Sequence, residues 1–161
     1  MNQSRTHIAF LRKSQDFFDC YLLICKQYNE PILKFSVKYF LLCRSIELLF
    51  KSWMVYKRVP EKIIKSDISH DLEKALYKIQ EIDLEKDLNL KLDRDLTNAI
   101  LRLNNFYKPK YFEYPTLGYS ELPLYIQFNQ PIKLLLNKIE DCYRQNLGIK
   151  SKEGDLPLSE N

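Results

Sequence analysis

The sequence predicts an all-α protein: one domain built as a bundle of four to five helices. Three observations carry that reading. The 161 residues include only 3 Gly and 7 Pro, and long stretches hold neither, which favours uninterrupted helices. Leu, Lys, Glu and Ile are abundant, and apolar residues recur three and four apart instead of alternating. The length suits one ordinary domain with a core of its own, placed at residues 1–148, with a flexible tail over 149–161.

The first helix is expected from about Ser4 to Asn29, with a break allowed near Lys13. His7, Phe10, Leu11, Phe17, Phe18, Tyr21, Leu22, Ile24, Cys25 and Tyr28 give it one broad apolar face. Pro31 fits the first turn of the next helix, where its missing N–H costs nothing. That second helix, about Ile32 to Lys57, is apolar on more than one side and should sit centrally. Phe40, Ile46, Leu49, Phe50 and Trp53 are its expected buried residues. Val59-Pro60 ends it, because a residue before proline is pushed out of the α region.

Residues 61–68 read as a connection with some helical character. A third helix spans Asp71–Ile82 on the stripe Leu72, Ala75, Leu76 and Ile79, with Asp71 and Glu73 suiting its positive end. The charged run from Asp83 to Asp95 fits either a helix extension or a loop. A fourth helix follows over about Leu92 to Tyr107. Pro109, Pro115, Gly118 and Pro123 mark an irregular, aromatic-rich loop. The last helix runs from about Pro131 to Leu147, with Gly148 as its C-cap.

Charge is distributed unevenly within a formal net of +4. Residues 1–65 carry 12 Lys/Arg against 5 Asp/Glu, and residues 66–161 carry 13 against 16. Such asymmetry suits a polyanion or head-to-tail association, and more often reflects solvated faces. Cys20, Cys25, Cys43 and Cys142 form no C-x-x-C pair and read as reduced, buried small hydrophobes. The two His residues lack the spacing of a zinc site, and no cofactor motif is present. Met1–Lys13 has neither the apolar stretch nor the cleavage site of a signal peptide. The most apolar segment, Tyr39–Phe50, is too short and too charged to cross a bilayer. A cytoplasmic protein with no membrane partner is the expectation.

Phosphate loops, dinucleotide fingerprints and nucleophile elbows are excluded by the glycine count. What remains is a set of short patterns. Glu47 and Lys51 stand four apart and can meet on one helical face. Ser69-His70-Asp71-Leu72 opens the third helix, where His70 can bond a backbone group or a carboxylate. Lys110-Tyr111-Phe112-Glu113-Tyr114-Pro115 follows the fourth. In order and spacing these resemble the HEPN superfamily of helical bundles, over roughly residues 15–145. In that family an E-x-x-x-K-like helix is followed by an H-x-L-like turn and then by a loop ending in a Tyr-Pro-type motif.

The resemblance implies a bundle of four or five helices, frequent homodimerisation, and roles in RNA cleavage, nucleotide binding, or toxin–antitoxin and defence systems. A nucleotidyltransferase-type protein would be the cognate partner. Many HEPN ribonucleases carry Arg followed by His after four to six residues. Here Arg102 is followed at those positions by Tyr107, Lys108 and Pro109, so the ribonuclease motif is absent. Without an imidazole there, the usual route lacks its proton shuttle.

The expected function is therefore a non-catalytic HEPN-like binding or assembly domain. The alternatives are a nucleotide- or RNA-binding domain and a ribonuclease with an unorthodox site. For the second of these readings, Arg102, Tyr107, Lys108, Lys110, Tyr111, Phe112 and Tyr114 interleave cations with rings, a mixture that can stack bases and neutralise phosphates. The plainer account has the same rings sealing a small core under the loop.

Overall fold

The computed structural model describes residues 3–28, 35–113 and 125–147. Pro31 and the predicted start of the second helix lie outside these residues, as do Tyr114, Pro115, Gly118, Pro123, Gly148 and the tail. The described chain is all-α: α1 (Gln3–Gln27), α2 (Phe35–Tyr56), a π-helical segment (Ile63–Ile68), α3 (Leu72–Glu81), the single turn α4 (Leu84–Asp87), α5 (Arg94–Tyr107), a 3₁₀ turn (Tyr125–Phe128) and α6 (Asn129–Asn146).

The apolar α2 packs along α1 and also meets α3, α5 and α6. Leu42, Cys43, Ile46, Leu49, Phe50, Trp53 and Met54 are all fully buried along it. Phe40 is only partly buried, unlike the other four residues expected inside, and packs on the edge of the core. Helix α1 runs without a break through Lys13. Its fully covered positions are Leu11, Ser14, Phe18, Tyr21 and Cys25, spaced three and four apart.

Small polar residues set the α1–α2 seam. Ser14 Oγ donates to the Ser45 carbonyl at 2.7 Å, and Ser45 Oγ donates back to the Ser14 carbonyl at 2.9 Å. Two turns further, Ser52 Oγ donates to the His7 carbonyl and lies 2.9 Å from the Tyr143 hydroxyl. Serines here let two backbones approach closely while each buried hydroxyl keeps a partner.

The cysteines do not all behave as expected. Cys25 and Cys43 are buried and Cys142 is half-buried, but Cys20 is exposed. Cys20 lies one residue before Tyr21 and so about 100° around α1 from a core position.

At one end of the bundle Trp53, Tyr56, Tyr143 and His7 pack ring against ring. Centroids are 5.2 Å apart for Trp53–Tyr56, 4.7 Å for Tyr56–Tyr143 and 4.6 Å for His7–Tyr143. Trp53 Nε1–H is the one buried side-chain polar atom without a hydrogen-bond partner among the described residues.

The charged run resolves into α4 and a loop. Leu84, Leu88 and Leu92, four apart, are buried beneath its charges. Asp93 caps α5 by accepting from Leu96 N–H at 2.6 Å. Asp71 likewise lies one residue before α3 as its cap, not inside it as the sequence reading placed it.

Candidate functional site: a saturated buried carboxylate

Arg44, Glu47 and Lys51 follow the spacing i, i+3, i+7 and so form one stripe on α2. Glu47 is 1% exposed. An ionised carboxylate taken out of water is stable only where its lone pairs are met, and each of its oxygens has two. Oε1 accepts from Arg44 Nη1 at 2.9 Å and Lys51 Nζ at 2.7 Å. Oε2 accepts from the Tyr107 hydroxyl at 2.5 Å and faces His70 Nδ1 at 3.1 Å. All four positions are filled, by donors from α2, α5 and the turn before α3.

The electrostatics follow from that count. Burial alone would raise the Glu47 pKa, but hydrogen bonds from Lys51, Tyr107 and His70 outweigh it and hold the carboxyl below its usual range. Burial and the Glu47 charge push the Tyr107 phenol well up, so it stays a donor. With Nδ1–H given to the ionised carboxylate, the Nε2 atom of a neutral His70 carries the lone pair.

A second buried carboxylate adjoins the first. Asp71 Oδ1 accepts from Asn104 Nδ2 at 2.9 Å and caps α3 through Lys74 N–H, while Oδ2 pairs with Lys108 Nζ at 2.8 Å. Asn104 Oδ1 in turn accepts from Leu72 N–H at 2.8 Å, which joins α5 to the start of α3. Burial opposes ionisation of Asp71, yet Lys108, the Lys74 N–H and Asn104 together lower its pKa.

The chain reaches this point through unfavourable backbone. Residues 63–68 are π-helical, and Ser69 N–H bonds to the Ile64 carbonyl five residues back. Ser69 itself has φ 47° and ψ −111°, outside the left-handed helical region that a non-glycine residue tolerates. Such a conformation costs on the order of 1–3 kcal/mol, and π segments and strained residues gather at functional sites. Here they deliver His70 onto Glu47. Ser69→Gly should therefore raise stability, by up to about 2 kcal/mol after the entropy that glycine loses. A lower Tm for that variant would show the turn to be relaxed.

The three motif positions Glu47, Lys51 and His70 thus converge, and Tyr107 and Lys108 join them. Arg102 does not: it is exposed, about 140° around α5 from Tyr107. Lys110 is exposed with φ 64°. Tyr111 packs edge-on to Phe106, and Phe112 stacks between Phe106 and Tyr39. The sequence reading missed Arg44, Asp71 and Asn104 as members of the cluster. Arg44 had a signal, three residues before Glu47; the others had none before α3 and α5 were seen side by side.

Among the described residues no group of three or more His, Cys, Asp or Glu could hold a metal ion, and no helix is long and apolar enough to cross a membrane. A cavity of about 320 Å³ between α1 and α6, lined by Phe18, Leu22 and Leu136 and by a larger number of polar and charged side chains, Asp16, Asp19 and Lys133 among them, includes none of the cluster residues. Fold and site together define a helical bundle tied at one place by two buried carboxylates. Comparison of the chain with family models, curated proteins and solved structures finds no match to any of them.

Proposed function

We propose that the protein is a non-catalytic, HEPN-like binding and assembly domain, working as a homodimer and with a cognate protein of a toxin–antitoxin or defence system, of nucleotidyltransferase type. The observation that carries the non-catalytic reading is the saturation of Glu47. A carboxylate shared among Arg44, Lys51, Tyr107 and His70 has no lone pair left for a substrate proton. Divided in this way, its charge also polarises the imidazole less than an unshared partner would. The cluster is a lock between α2, α3 and α5. Leu23 on α1, Val37 on α2 and Leu134 on α6 are exposed apolar side chains that an interface could cover. The RNA-binding reading of the Arg102–Tyr114 segment draws less support, because Tyr107 and Phe112 are used in packing.

The test has two arms on the full chain. Sedimentation equilibrium should give a dimer at tens of micromolar, a concentration at which even modest self-association registers. Incubation with mixed-sequence RNA should leave it intact. A monomer throughout that range defeats the assembly reading, and cleavage abolished by His70→Ala defeats the non-catalytic one.

A further inference from the structure

We infer that Arg44, His70 and Lys108 form a docking surface for an acidic segment of a partner protein. The inference rests on the assembly reading above and names the chemistry of the partner's side. Its first support is an asymmetry of burial. Glu47 and Asp71 are 1% and 7% exposed at the side chain, while Arg44, His70 and Lys108 are 31%, 47% and 58% exposed. Arg44 and Lys51 stand against the buried Glu47, and Lys108 stands against the buried Asp71, with the exposed Glu73 also acting on Lys108. At Arg44, His70 and Lys108 solvent therefore meets donor groups whose partner carboxylates, Glu47 and Asp71, lie underneath.

The second support is preorganisation. Arg44 meets Glu47 through Nη1 at 2.9 Å and also interacts with the Tyr107 hydroxyl. A guanidinium has five N–H donors in a rigid fork, more than these two partners take up. Lys108 is fixed by Asp71, and His70 by Glu47 at the end of the strained Ser69 turn. Fixing side chains before binding removes entropy that association would otherwise cost. The strained turn holds the His70 imidazole at the surface.

The third support is shape. A pocket for a small molecule buries roughly 70–90% of its ligand, whereas these three side chains are open to solvent. Separate exposed cations on an open surface fit several carboxylates along an extended segment. Such charge complementarity steers encounter and selects partners.

The experiment titrates the full-length protein with a short poly-glutamate peptide, its poly-glutamine counterpart and an oligouridylate of equal length. Binding is followed by NMR at the Arg44 Nε–H and the His70 ring. The glutamate peptide should bind saturably and more weakly as salt rises, and the glutamine peptide at least about tenfold more weakly, since bonds to charged groups are each worth about that factor or more. Arg44→Gln and Lys108→Gln should each weaken the glutamate peptide by about fivefold or more. Lys13→Gln, an equal charge change on α1, should leave binding as it was. Lys108 is exposed, so its variant keeps the test valid even if Arg44→Gln disturbs the Glu47 cluster; circular dichroism checks both. Tighter, Arg44-dependent binding of the oligouridylate would overturn the protein-partner assignment, and so would equal binding of the two peptides or no binding at all. A dimer in sedimentation with no peptide binding would overturn this inference and leave the assembly reading standing.

Discussion

Replacing Glu47 with alanine should remove about 3–5 kcal/mol of folding stability, the usual loss when one partner of a buried ionic cluster is taken away. The loss is large because the remaining partners suffer as well as the missing one. Lys51 is 12% exposed at its side chain and Tyr107 is buried, so neither regains full hydration. Urea denaturation at neutral pH measures the change, and a difference below about 1 kcal/mol would mean that the cluster does not hold α2, α3 and α5 together.

The same group predicts a pH dependence. Its pKa in the folded state is depressed, so its contribution is fully present above the unfolded value, near 4.3. That contribution is lost as pH falls through the folded value. The parent protein should therefore lose stability on acidification below the ordinary carboxylate range. Glu47→Ala should lose less over the same interval, with Asp71 supplying part of what remains.

Trp53→Ala should be comparably damaging, at about 3–5 kcal/mol. Trp53 is fully buried among Tyr56 and Tyr143. Because its Nε1–H has no partner, the variant loses packing and gains a cavity without breaking a hydrogen bond. Trp53→Phe, which keeps a ring in place, should recover much of the loss. Chemical denaturation followed by circular dichroism compares the three proteins. A near-neutral Trp53→Ala would place this residue outside the packing that matters.

The features that the sequence made legible are local ones. The apolar excess of Ile46, Leu49, Phe50 and Trp53 marks α2 as central, and the spacing of Glu47 and Lys51 brings them together within one helix. The pairing of Glu47 with His70, 23 residues on, depends on where α3 begins relative to α2, and no periodicity encodes that. Tyr107 and Lys108 illustrate the same limit. Next to Lys110 and Tyr111 in sequence, they read as part of an aromatic and basic loop, yet one faces Glu47 and the other Asp71. Ser69 could not be foreseen either, since its conformation opposes the preference of the residue and is imposed by its surroundings. Cys20 shows how little separates the two faces of α1, for a shift of one position turns a core residue outward.

The protein also carries its own optical reporter. Trp53 is the single tryptophan of the chain, shielded from water and set against Tyr56 and Tyr143, with the Lys57 ammonium 5.9 Å from its ring. Its fluorescence should be blue-shifted in the native state and fed by energy transfer from the tyrosines beside it. Exposure of one indole then signals that α1, α2 and α6 have separated at that end. The Glu47 cluster lies less than two turns away on the same helix α2. Loosening at the ionic lock can thus be watched through the light emitted by its aromatic neighbour, with no label attached.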